Sequence, residues 1–126
     1  FSLCKDERLQ GQTLFVDDAA TICEAITREI ILSLGKTLSS GLKKWPSGLH
    51  FNVNIPNLPI KRVKGAVVAS SGFRRYSRDV LRRKDARGGD YYWIGGRYLG
   101  FSPIKGSDCD WVDKGYVAIT PLLLPL

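Results

Sequence analysis

The sequence predicts an α/β fold, and three observations predict it. Apolar residues at Ala19, Ile22, Cys23, Ile26, Ile30, Ile31 and Leu34 recur at the spacing of one helical stripe. Leu49, Phe51, Val53 and Ile55 alternate with His50, Asn52 and Asn54, the period of a half-buried strand. Two further β-rich stretches, Val63–Ser70 and Tyr116–Leu122, lie between glycines and prolines. At 126 residues the chain matches one ordinary domain, and 44% hydrophobic with 25% charged residues is a globular balance. Bulk disorder, collagen-like repeats and a disulfide scaffold are excluded. No run approaches the roughly 18 apolar residues of a membrane span. The best, Ile30–Leu34, is broken by Ser33.

Taken in order, residues 1–4 read as the stub of a buried strand, and Lys5–Gln12 as a polar segment ending in a Gly11 turn. A helix is predicted from Asp17 or Asp18, which cap its start, to Gly35 or Gly41, which end it. Residues 42–48 form a turn. The strand from Leu49 stops at Pro56 and Pro59, because proline cannot donate to a ladder. Tyr76–Leu81 continues as a basic strand or an arm. Residues Asp85–Asp90 are a turn, Tyr91–Ile94 is a strand, and Gly95-Gly96 stops it. Strands on both sides of the Arg-Gly-Gly turn predict a hairpin. Ser107 caps a short helix with Asp110 three residues on, Gly115 ends it, and a C-terminal strand follows. No repeat or linker appears, so residues 1–126 are expected to form one unit.

Charge is uneven. The net +7 divides into +2 over residues 1–63 and +5 over residues 64–126. The excess sits in Arg74, Arg75, Arg78, Arg82, Arg83, Lys84 and Arg87, diluted by Asp79 and Asp85. No nucleic-acid motif accompanies this cluster. A solvated face, or an arm meeting an acidic neighbour, is therefore the plainer account, and neither nucleic acid nor a membrane is an expected partner. The alternative is a basic nucleic-acid or polyphosphate module using Arg74–Arg87. Cys4, Cys23 and Cys109 are far apart, with His50 the single histidine, so zinc is disfavoured. Cys23 falls on the helix stripe and reads as core, and reduced thiols fit the cytosol. No apolar h-region follows Phe1.

Several motifs, in order, carry a resemblance. They are Phe51-Asn-Val-Asn-Ile-Pro-Asn-Leu-Pro59, then Lys64-Gly65, then Arg83-Lys-Asp-Ala-Arg-Gly-Gly-Asp-Tyr-Tyr-Trp-Ile-Gly-Gly96. Ser107-Asp-Cys-Asp-Trp111 and Gly115-Tyr-Val-Ala-Ile-Thr-Pro-Leu122 complete the set. Together they resemble the SurE (survival protein E) family of 5′/3′-nucleotidases. The resemblance covers essentially the whole chain but only the second half of the family's usual length. It implies a partial Rossmann-like SurE-type sheet with one long helix, a projecting basic β-hairpin and a C-terminal strand. It also implies a cytoplasmic, metal-dependent phosphomonoesterase acting on nucleoside monophosphates and, in some members, polyphosphate, assembled as a homo-dimer or tetramer.

The family's metal motifs, an N-D-D-G strand end and later Ser and Asn loops, are absent from this sequence. By family order they would precede Phe1, so the ligands of a Mg²⁺ or Mn²⁺ ion are expected upstream and no catalytic residue within the chain. The lack of any methionine and the Pro121–Leu126 tail fit the same expectation of a segment that is inactive alone. Asp17-Asp18 imitates the carboxylate pair. Ala19 follows where the motif needs Gly, and the pair opens the helix, so it is rejected as a metal site. Asp108, Asp110 and Asp113 are assigned to the short helix, and His50 to solvent. Tyr91, Tyr92 and Trp93 could stack a base, but strand packing is the expected role. Arg74, Arg75, Tyr76, Arg78, Arg82, Arg83, Arg87, Tyr91, Tyr92 and Trp93 are the expected oligomer arm.

Overall fold

The computed structural model describes residues 1–4, 11–40 and 48–123. Four strands form the main sheet: β1 (Ser2–Cys4), β2 (Leu49–Pro56), β3 (Ala66–Val68) and, last in the chain, β8 (Val117–Leu123). Their order is β1-β2-β8-β3. β1 runs parallel to β2 and β3 parallel to β8, while β2 and β8 are antiparallel. The sheet is thus mixed, with the alternating strand β2 inside it. One helix, α1 (Val16–Ser39), lies on one face. Its Ala19, Ile22 and Ile26 pack on Val53, Ile55 and Val117, with Leu3, Cys23, Ile30, Phe51, Val63 and Ile119 around them. Period two on the strand and period 3.6 on the helix meet here, and this packing holds the helix in place.

Three helix expectations are corrected. α1 begins at Val16, so Asp17 and Asp18 stand in its first turn rather than at the cap. There they favour the positive end of the helix dipole. The Phe15 N–H before them donates to Asn57 Oδ1 at 3.0 Å. The helix also passes through Gly35, since glycine costs only about 1 kcal/mol in a helix. The Thr37 and Ser39 hydroxyls donate to the Ser33 and Gly35 carbonyls along that turn. Third, Ile31 leaves the buried stripe and is 60% exposed. The Gly41 alternative, the 42–48 turn up to residue 47 and the Lys5–Gln12 segment up to residue 10 lie outside the described residues.

β2 ends at Pro56, as expected, before a 3₁₀ turn over Ile60–Arg62. The predicted Val63–Ser70 strand shrinks to β3, with Ser70 making an isolated bridge to Ser107. Residues 74–101 form a long hairpin in two sections. β4 (Arg74–Tyr76) pairs with β7 (Tyr98–Phe101), and β5 (Val80–Lys84) pairs with β6 (Asp90–Ile94). A continuous basic strand over Tyr76–Leu81 does not form, because the ladder breaks at Ser77–Asp79. There the Arg97 N–H donates to the Ser77 hydroxyl at 2.7 Å, replacing a ladder bond by a side-chain bond. Gly96 makes the break possible: a Cβ at that position would lie 1.7 Å from the Ser77 carbonyl oxygen. The short helix α2 (Asp108–Asp113) follows, with the Asp110 N–H donating to Ser107 Oγ at 3.3 Å as the sequence predicts.

Candidate functional site

On the sheet face away from α1, the ends of several elements meet at Asp108. Its Oδ1 accepts from the Gly72 N–H and the Cys109 N–H, both at 2.7 Å. Its Oδ2 accepts from Asn54 Nδ2 at 3.1 Å. Asn54 in turn faces β1, with its Oδ1 3.6 Å from the Cys4 sulfur. One carboxylate therefore ties β2, the loop leading into the hairpin and the start of α2. The fit is close: a Cβ on Gly72 would meet Asp108 Oδ1 at 2.6 Å and Cys109 Sγ at 2.8 Å. The signal for this junction was in the sequence only as a helix-start aspartate. Its partners on the other elements, Gly72 and Asn54, stand 36 and 54 residues away, so no local pattern names them.

Burial, and then the Asp108 carboxylate, push the Cys109 thiol up. That direction favours the protonated thiol over the thiolate. Next along α2, Asp110 accepts from Lys114 Nζ at 2.8 Å and from the Gly106 N–H at 2.9 Å. The ammonium first, and that N–H second, hold its carboxyl below the usual carboxylate range. On the same sheet face Thr120 is 3% exposed, and its hydroxyl finds no hydrogen-bond partner among the described residues.

The other sequence candidates are spread out. Asp18 Oδ2 accepts from the Ile60 N–H at 3.1 Å, so it fastens α1 to the 3₁₀ turn. His50 is exposed, with Nδ1 2.8 Å from the Gly48 carbonyl oxygen. Among the described residues no three His, Cys, Asp or Glu side chains gather in a way that could hold a metal ion.

The arm candidates come together on the hairpin. Arg74 lies against the Tyr98 ring, 5.9 Å from its centroid, and Tyr76 packs on Tyr98 at 5.6 Å. Beyond the break every residue of β5 and β6 is exposed on both faces of the ribbon. Tyr91, Tyr92 and Trp93 are 42%, 60% and 63% exposed, so the expected strand packing is corrected: among the described residues no layer lies behind β6. The turn between the strands is firm. Asp85 Oδ1 accepts from the Arg87 and Gly89 N–H groups, each at 2.8 Å.

Comparison with known proteins follows the same lines. No family model matches the chain. It is 38% identical over 108 residues to the 5′-nucleotidase SurE of Geobacter sulfurreducens, covering 86% of this chain and 37% of that protein. It is 42% identical over 81 residues to the 5′-nucleotidase SurE of Geotalea uraniireducens, covering 64% of this chain and 33% of that one. Among solved structures, the SurE protein from Aquifex aeolicus superposes with a TM-score of 0.62 at 28% identity, over 98% of this chain and 45% of that chain. The chain thus spans about a third of the length of these curated relatives.

Proposed function

This chain is a SurE-family segment, and we propose that the protein it belongs to is a metal-dependent nucleotidase releasing phosphate from nucleoside 5′- or 3′-monophosphates. The single observation that carries this is the match of sequence and fold together over almost the whole chain. Residues 1–126 act as one segment of a SurE-type domain, contributing late strands, a packing helix and an oligomer arm. The ligands of the Mg²⁺ or Mn²⁺ ion, and the residues that attack phosphate, belong to parts of that domain outside the described residues. Such a cation would polarise the phosphate and lower the pKa of an attacking water. The segment's own residues hold the scaffold: Asp108 fixes the hairpin loop and α2 against β2. The working compartment on this reading is the cytoplasm.

The ribbon's exposure supports the arm role. A two-stranded hairpin is marginal in water without a layer to pack on, and Val80, Leu81, Trp93 and Ile94 are 57%, 49%, 63% and 84% exposed. A second copy of the chain covering them would complete the fold as a dimer or tetramer. The test is phosphate release from nucleoside monophosphates with Mn²⁺, by the whole protein and by residues 1–126 alone. Turnover by the whole protein only is expected; robust turnover by the segment, or none by the whole protein, overturns the proposal. Deleting residues 74–96 from the whole protein should lower its mass in solution, and an unchanged oligomer refutes the arm.

A further inference from the structure

The outer hairpin is chemically divided along its length. Residues directly opposite in an antiparallel ribbon share a face. The two pairs nearest the sheet, Val80–Ile94 and Leu81–Trp93, are apolar. The next three, Arg82–Tyr92, Arg83–Tyr91 and Lys84–Asp90, set a cation against an aromatic ring or a carboxylate, and Arg87 stands in the turn beyond them. The hairpin's three acidic residues are spent locally. Asp79 accepts from the Ser77 hydroxyl at 2.6 Å, Asp85 builds the turn, and Asp90 pairs with Arg82. Among the described residues, Arg83, Lys84 and Arg87 have no ion pair. Of the four cations at this end, Arg82 is the one with an ion pair among the described residues.

We propose that this outer end of the hairpin, Arg82, Arg83, Lys84, Arg87, Tyr91 and Tyr92, binds single-stranded nucleic acid. The cations would contact backbone phosphates while the tyrosines stack bases. Charge complementarity chooses the occupant. Residues 74–101 carry eight basic and three acidic side chains, so the same tip of a second copy is repelled, whereas a polyanion is attracted and releases counterions on binding. Alternation places Arg82 and Lys84 about 6.8 Å apart on one face with Tyr92, a reach suited to successive phosphates of an extended strand, and Arg83 with Tyr91 on the other, so the bound strand wraps the ribbon's end. The tyrosines decide between phosphate polymers. Each stands beside an arginine with its ring exposed, an arrangement that stacks a base and that inorganic polyphosphate cannot use. This inference does not rest on the nucleotidase reading.

The test is fluorescence anisotropy of a short labelled oligodeoxythymidylate with the whole protein at several salt concentrations. Three unpaired cations at about 0.7 counterion each predict roughly 20-fold weaker binding on going from 50 to 200 mM salt. The triple variant Arg83→Gln, Lys84→Gln, Arg87→Gln should lose that slope together with most of the affinity. Tyr91→Ala should weaken binding at least about fivefold with the slope unchanged. Far-UV circular dichroism establishes that each variant keeps the fold. Absence of binding at low salt, or binding that neither variant alters, overturns the proposal. So does inorganic polyphosphate competing phosphate for phosphate while Tyr91→Ala has no effect, which marks charge alone. A triple variant that changes the oligomer's mass without the protein ever binding the oligonucleotide assigns the tip to a second copy, and also overturns it.

Discussion

Replacing Asp108 by alanine should unfasten the junction between β2, the hairpin loop and α2. Three N–H groups lose their acceptor: those of Gly72 and Cys109, each 2.7 Å from Oδ1, and the Asn54 amide, 3.1 Å from Oδ2. Hydrogen bonds to a charged group contribute about 1.5–3 kcal/mol each. Asp108 is half-buried and water reaches some of the freed donors, so the sum is discounted to about 2–4 kcal/mol. For a chain of this size that is a fall of roughly 10 °C in Tm. Asp108→Asn keeps an oxygen for the two backbone donors and turns an NH₂ toward Asn54, so it should cost about half as much. The assay is urea unfolding of Asp108→Ala, Asn54→Ala and the double variant. A coupling of about 1 kcal/mol between the two sites is expected. An Asp108→Ala loss below about 0.5 kcal/mol, within the range of ordinary surface changes, would refute the junction.

Three further outcomes follow from single contacts. Gly96→Ala places a methyl 1.7 Å from the Ser77 carbonyl oxygen, so the hairpin must shift; cross-strand nuclear Overhauser contacts between β5 and β6 should move or vanish, and an unchanged set counts against the break at Ser77. Thr120→Val exchanges a buried hydroxyl without a partner among the described residues for a methyl. It should be neutral or stabilising by about 1 kcal/mol, and a loss of that size in thermal melts would mean that the hydroxyl is bonded. Asp110 is held below its ordinary value chiefly by Lys114, so the pair stabilises fully above the ordinary carboxylate pKa, and that contribution fades as pH falls through the lower folded value. Lys114→Met should therefore melt below the wild type at pH 6 and converge with it near pH 2; a gap that persists in acid would assign the loss to packing on Trp111, whose ring lies 5.1 Å from the ammonium.

Elements built on a repeated local period were legible before any coordinates. The stripe through Ala19, Ile22 and Ile26 found α1, and the alternation through Val53 and Ile55 found β2, because burial on one face leaves a regular imprint on residue order. Ser107 and Asp110 announced α2 through a cap that spans three residues. Helix ends were less legible. Val16 opens α1 ahead of its carboxylates and Gly35 lies within it, since the Asn57 side chain and the hydroxyls of the last turn supply what the terminal residues do not.

The sequence by itself determined the fold class, the long helix, the alternating strand, the turn at Asp85 and the SurE resemblance, all of which live in short-range order. Only the tertiary structure decided that Asp108 joins three elements, that β7 closes the hairpin base, and that the ladder breaks at Ser77 against Gly96. It also decided that Tyr91, Tyr92 and Trp93 stand in solvent rather than in a core. An aromatic strand has the same local pattern whether or not a second layer lies behind it. Whether that layer exists is settled by where distant segments fold, and no residue of the strand carries that information.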